Sequence, residues 1–193
     1  MKNAVVTDKE LLALTQDELN IVKQYCENDK PRNIPPLLKI FDSHHQLQLV
    51  PLGQWDEFGK SAKRRQIMTQ VGAEIYRQWG WDPFPAVILL TTETWLKTFD
   101  PDSVPEKIRM PSDYPDAIDS IMVQTLTLAR ASLLEKEPKP RSSMAIFEIK
   151  RRKPYILLEQ MVEPTLCKAG PGMTELLNHF YLGWFQESMR DQN

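Results

Sequence analysis

The sequence predicts an α+β fold, a mainly antiparallel sheet with a long helix packed on one face and terminal helices closing over the rest. Three observations carry this. Residues 84–95, FPAVILLTTETW, contain an unbroken apolar run from Ala86 to Leu90, set between Pro83 and Pro85 on one side and polar residues on the other. That is the pattern of a strand covered on both faces, and it marks the central strand. Residues 56–79 repeat apolar side chains at three- and four-residue steps with no proline, as a long amphipathic helix does. Two pairs of short apolar segments, each pair joined by a short polar stretch, read as β-hairpins.

Composition sets the frame. Of 193 residues, 41% are hydrophobic and 26% charged, enough to bury a core without disulfides or a metal. One domain with appendages is expected: an N-terminal helical segment over 1–33, a core over 34–165, and a linker with a C-terminal helix over 166–193. Fifteen prolines, roughly 8% of the chain against about 5% on average, stiffen the loops. A net charge of −2 gives no global attraction to nucleic acid or to an anionic membrane. The two cysteines, Cys26 and Cys167, lack metal-ligand spacing. The first residues carry no signal-peptide core and no apolar run is long enough to span a bilayer, so a reduced, cytoplasmic setting is expected.

Taken in order, Thr7 and Glu10 are spaced as a capping box, and Thr15 and Glu18 repeat the spacing. This allows either two short helices, Asp8 to Leu14 and Gln16 to Glu27, or one bent helix. Leu19, Val22 and Cys26 line its apolar face, which makes Cys26 a core residue. Leu37 to Phe41 and Gln46 to Leu52 then read as a hairpin, preferred over a short helix from Pro36 to Asp42, with His44 and His45 in its turn. In the long helix, Phe58, Ala62, Met68, Val71, Ile75 and Trp79 form the stripe, and Gly72 within it suggests close approach to a strand. Lys60, Lys63, Arg64 and Arg65 make a basic cluster, and Gly80 is the helix stop.

In the central strand the two-residue period places Val87, Leu89, Thr91, Glu93 and Trp95 on one face. Glu93 is its single acidic residue. The proline-rich stretch from Asp100 to Pro115 reads as a long loop, of the kind that carries function. Ile121, Val123 and Thr125 then alternate in one phase and Leu126 and Leu128 in the other, which suggests a bulge near Thr125. After a polar turn over Glu135 to Arg141, Met144 to Lys150 and Tyr155 to Met161 form a second hairpin with Arg151 and Arg152 at its basic tip. Beyond Pro164 comes a linker, Lys168 to Gly172, and then a helix over Met173 to Met189 dense in aromatics. There Phe180, Tyr181, Trp184 and Phe185 suggest a surface for a protein partner. His179 among them is a packed or exposed residue.

The run PAVILLTTETW, followed by PSDYPD at residues 111–116, resembles a pattern in an uncharacterised family of bacterial and phage proteins. There an apolar strand ending in Glu-x-Trp precedes a Pro-Ser-x-x-Pro-Asp loop and an antiparallel β region. The likeness spans residues 85–160. Where the pattern has a basic and an acidic residue after the loop, this chain has Ala117 and Asp119. The resemblance implies a fold and no activity.

Glycine-rich phosphate loops, HExxH, GxSxG and paired-cysteine signatures are missing from the sequence, so no cofactor and no metal are expected. The first expectation for function is a non-enzymatic protein–protein interaction module or assembly subunit, with a protein partner or homo-oligomer. The alternative is a hydrolase- or nuclease-like enzyme using Glu93, Asp113 or Asp116 with the Arg64 and Arg65 region around a cleft. A further alternative is nucleic-acid binding through Arg64, Arg65, Arg151 and Arg152.

Overall fold

The computed structural model describes residues 6–29, 31, 33–53, 61–97, 114–128, 141–152, 155–168 and 174–191, with backbone alone at 61, 62, 151, 152, 155 and 168. Among these residues the elements follow the order α1 (Asp8–Asp29), β1 (Leu37–Asp42), β2 (Leu47–Pro51), α2 (Ser61–Trp79), β3 (Pro85–Leu96), β4 (Ile118–Thr127), β5 (Arg141–Arg152), β6 (Tyr155–Lys168) and α3 (Glu175–Arg190). The fold is α+β. All strand pairs are antiparallel, and the six strands lie in the order β2-β1-β3-β4-β5-β6.

β3 occupies the interior position that its apolar run predicts. Its even residues Ile88 and Leu90 join Leu38, Ile40, Leu126, Met68, Ile75, Phe180 and Trp184 in a core beneath α2 and α3. On the opposite face Leu89 joins Leu19, Val22, Cys26, Val123, Ala145 and Phe147 beneath α1. The sheet is therefore covered by a helix pair on one side and a single helix on the other. With 22 residues α1, not α2, is the longest described helix.

Several expectations change. α1 is one uninterrupted helix: the Thr7–Glu10 box caps its start, with the Thr7 N–H donating to Glu10 Oε2 at 2.6 Å and the Glu10 N–H to Thr7 Oγ1 at 3.2 Å. Thr15 and Glu18 cap nothing and lie buried mid-helix against the sheet. β4 pairs with β3 and β5 without a register shift, so there is no bulge near Thr125. The change of apolar phase arises because Val123 is buried under α1 and Leu126 under the helix pair. Register shifts fall instead between Met144 and Phe147, on the pairing with β6, and at Phe41/Asp42 of β1. β6 continues through Pro164 to Lys168, which moves the core boundary past 165. An edge strand tolerates proline because one side of its backbone makes no ladder bonds.

Gly72 packs against a helix rather than a strand. A Cβ there would lie 1.9 Å from the Phe180 carbonyl oxygen, and one on Gly183 would lie 1.8 Å from the Thr69 carbonyl oxygen. The two glycines thus bring the backbones of α2 and α3 into direct contact. Arg65 meets Glu175, Thr69 meets His179 and Arg77 meets Glu187, so the helices run parallel. Gly80, at φ +70°, ends α2 with its N–H donating to Tyr76 at 2.6 Å, as predicted.

Candidate functional site

The interface between α1 and the sheet holds an internal polar layer. Lys39 of β1 and Glu18 of α1 form a buried ion pair, and the other Glu18 oxygen accepts from Thr91 Oγ1 at 2.7 Å. The Thr15 hydroxyl meets those of Thr125 at 2.8 Å and Ser143 at 2.6 Å, and donates back to the Leu11 carbonyl at 3.0 Å. Glu93 Oε1 accepts from the Ile34 N–H at 2.6 Å, which ties the strand to the segment leading into β1. Cys26 lies in the same layer, its thiol pushed up to about 11 by burial and then by the charges of Glu93 and Glu27. Such a thiol is inert at neutral pH. The sequence pattern assigns Glu18 to a capping box and gives Lys39 no role, although Lys39 interrupts the apolar run of β1 and Glu18 falls on the buried face of α1. Two opposite charges so placed are the signal of a buried pair.

This layer positions α1 but offers no reacting group to a substrate, since Lys39 and Glu18 are each nearly closed to solvent. The expected catalytic set is also dispersed. Glu93 faces α1, whereas Arg64 and Arg65 belong to α2 on the other side of the sheet. Asp116, exposed, bonds Lys97, whose amine holds the Asp116 carboxyl below its usual range. Asp113 lies outside the described residues. Among the described residues no cluster of three His, Cys, Asp or Glu side chains could hold a metal. Arg65 is paired to Glu175 at 2.8 Å, and Arg64 buries its Nε without a hydrogen-bond partner among the described residues. Arg151 and Arg152 lie on β5, opposite Ile156 and Tyr155. The two basic groups therefore sit on separate elements.

The aromatic residues of α3 build the interior. Phe180 and Trp184 are fully buried and Tyr181 nearly so, its hydroxyl donating to the Pro85 carbonyl at 2.8 Å, while Phe185 is partly buried against the same core. Tyr76, Phe84 and Phe185 surround the Trp184 ring edge-on at 5.1–5.2 Å. The partner surface expected at these four residues is thus an internal packing surface, and the helix pair accounts for their density. Outside the seam of α2 and α3 lies a groove of about 570 Å³. Its charges satisfy one another, with Arg77 bonding Glu187 at 2.8 Å and Glu74 at 2.9 Å.

Exposed apolar surface gathers elsewhere. α1 lies mainly over β4, β5 and β6 and reaches β1 through the Glu18–Lys39 pair, which leaves the same face of β2 without a helix among the described residues. There Leu47 and Leu49 are 50% and 54% exposed. Leu49 lies directly beside Lys39, and Lys39 reaches Glu18. Ile21 and Tyr25, three and seven residues past Glu18, share its flank of the helix and are 51% and 39% exposed. These large apolar side chains are thus exposed in two places, along the β2 edge and on one flank of α1.

The backbone of that edge is also available. The Asp42 N–H donates to the Gln46 carbonyl and the Leu52 N–H to the Pro36 carbonyl, which fixes the hydrogen-bonding phase of the hairpin. By alternation Gln48 and Val50 bond inward to β1, while the N–H and C=O groups of Leu47 and Leu49 point away from the sheet. Asp42 locks the turn, its Oδ1 accepting from the N–H groups of His44 and Gln46 at 2.8 Å each, with His45 at φ 64°. Among the described residues no helix is long and apolar enough to cross a membrane. No protein-family model, no curated protein and no solved structure matches the chain.

Proposed function

We propose that this protein acts by binding protein, as a non-enzymatic interaction module or assembly subunit, and that it makes contact through the β2 edge of the sheet. The observation that carries this reading is that Leu47 and Leu49, both about half exposed, stand on a strand with no further strand beyond it among the described residues. Exposed apolar side chains on an edge strand are what a strand-docking partner uses. The carboxylate-enzyme reading has less support, because Glu93 and the Arg64–Arg65 pair face opposite sides of the sheet. Nucleic-acid binding is weakened by the net charge of −2 and by the pairing of Arg65 with Glu175. The free cysteines suit a reducing cytoplasm.

The test is the size of the protein in extracts of the cell that makes it. The reading expects an assembly larger than the 22.4 kDa chain, reduced to that mass by Leu47→Glu with Leu49→Glu. A wild-type protein eluting at the chain mass at every concentration, indistinguishable from the double variant, would end it.

A further inference from the structure

We propose that the partner at the β2 edge is a second copy of the chain, joined so that the two sheets become one continuous antiparallel sheet. This rests on the interaction-module reading above and names its partner.

The first support is the contrast between the two sheet edges. Natural edge strands are blunted by charge, proline and bulges, because free N–H and C=O groups invite further strands. β6 has all three defences: Glu159 and Glu163, Pro164, and register shifts against β5. β2, Leu-Gln-Leu-Val-Pro, contains no charged residue and pairs with β1 without a shift. Its one proline, Pro51, stands at the far end of the strand.

The second support is self-complementarity. A two-fold contact brings each residue against a copy of itself or of a near neighbour, so any charge near the axis repels its own image. The segment from Gln46 to Leu52 has none. With the axis through Gln48, Leu47 faces the partner's Leu49 and Leu49 the partner's Leu47. The outward-pointing N–H and C=O groups of these residues then form about four new hydrogen bonds in the close-pair geometry of an antiparallel ladder. Pro51, which has no N–H, is not asked to donate. Because Leu47 and Leu49 project from one face, the contact also lines up a row of leucines across the junction.

The decisive experiment uses the purified full-length chain alone, by sedimentation over roughly 1 to 500 μM, a range that captures a micromolar dimer. The mass should rise toward twice 22.4 kDa, and the amides of Leu47 and Leu49 should gain hydrogen-exchange protection in step with it. Leu49→Lys should raise the dissociation constant at least about tenfold by placing like charges near the axis. Leu49→Pro should do the same while leaving circular dichroism intact, since the Leu49 N–H makes no bond to β1. Exchange on the wild-type chain keeps the test valid if a variant fails to fold. A monomer throughout, or a dimer whose Leu47 and Leu49 amides exchange freely, overturns the proposal. If the purified chain is monomeric while the cellular protein is larger and Leu47→Glu with Leu49→Glu dissociates it, the partner is another protein and only the self-pairing fails. If both are monomeric, the interaction-module reading fails with it.

Discussion

The two faces of the sheet are held to their helices by different means. Under α2 and α3 the contacts are apolar and aromatic, with two glycines setting the helix–helix distance. Under α1 the apolar contacts are interrupted by hydroxyls and by the Lys39–Glu18 pair. The first arrangement gains stability from buried area and close shape fit, and it tolerates no added volume at its tightest point. The second has costly desolvated charges that favour one placement of the helix, since a shift of one residue would separate Lys39 from Glu18.

If the comparison holds, the largest effect belongs to the seam. Gly72→Ala forces a Cβ into the Phe180 carbonyl and should cost about 3 kcal/mol or more, or prevent folding altogether, as read from the denaturant midpoint. Gly80→Ala meets no neighbour and is strained only through its positive φ, so it should cost about 1 kcal/mol. Equal losses would mean that the seam is not the constraint described.

On the polar face, Lys39→Met should destabilise by about 3–5 kcal/mol because it leaves the Glu18 carboxylate buried without its partner. Adding Glu18→Leu should restore most of that loss. Strictly additive losses in the double-mutant cycle would show that the pair is not coupled in solution.

A smaller effect appears in alkali. The Cys26 thiol is raised in the folded protein, so its contribution to stability is fully present below the ordinary thiol range near 9. It is lost as the pH rises toward about 11, because the unfolded chain ionises first. Melting temperature should fall over that window, and Cys26→Ala should make the decline shallower. A decline unchanged by the substitution would assign it to other groups, such as the Tyr181 hydroxyl, which burial also raises.

The legible parts of the sequence were those where one residue's neighbours along the chain decide its structure. The run Ala86 to Leu90 reads as a strand because a strand buried on both faces needs no alternation, and Thr7 with Glu10 reads as a cap because all its contacts are local. The same local pattern misled at Thr15 and Glu18, whose partners Thr125, Ser143, Lys39 and Thr91 are distant in sequence. Gly72 announced a close approach, but only the assembled fold supplies Gly183 as its counterpart. The aromatic density of α3 was visible; that it faces inward depends on α2 lying alongside. The alternation in β2 implies half-buried leucines, and their exposure follows from α1 lying mainly over β4, β5 and β6 and reaching no farther than Lys39 of β1.

The parallel seam also bears on biosynthesis. α2 precedes most of the sheet in the chain, whereas α3 follows every strand, and chains emerge from the ribosome at roughly 5–20 residues per second. For several seconds the nascent protein therefore presents the glycine-bearing surface of α2 and the apolar strands beneath it with no cover. That interval, ended only when α3 arrives, is when a chaperone would be most needed and when premature termination would be least forgiving.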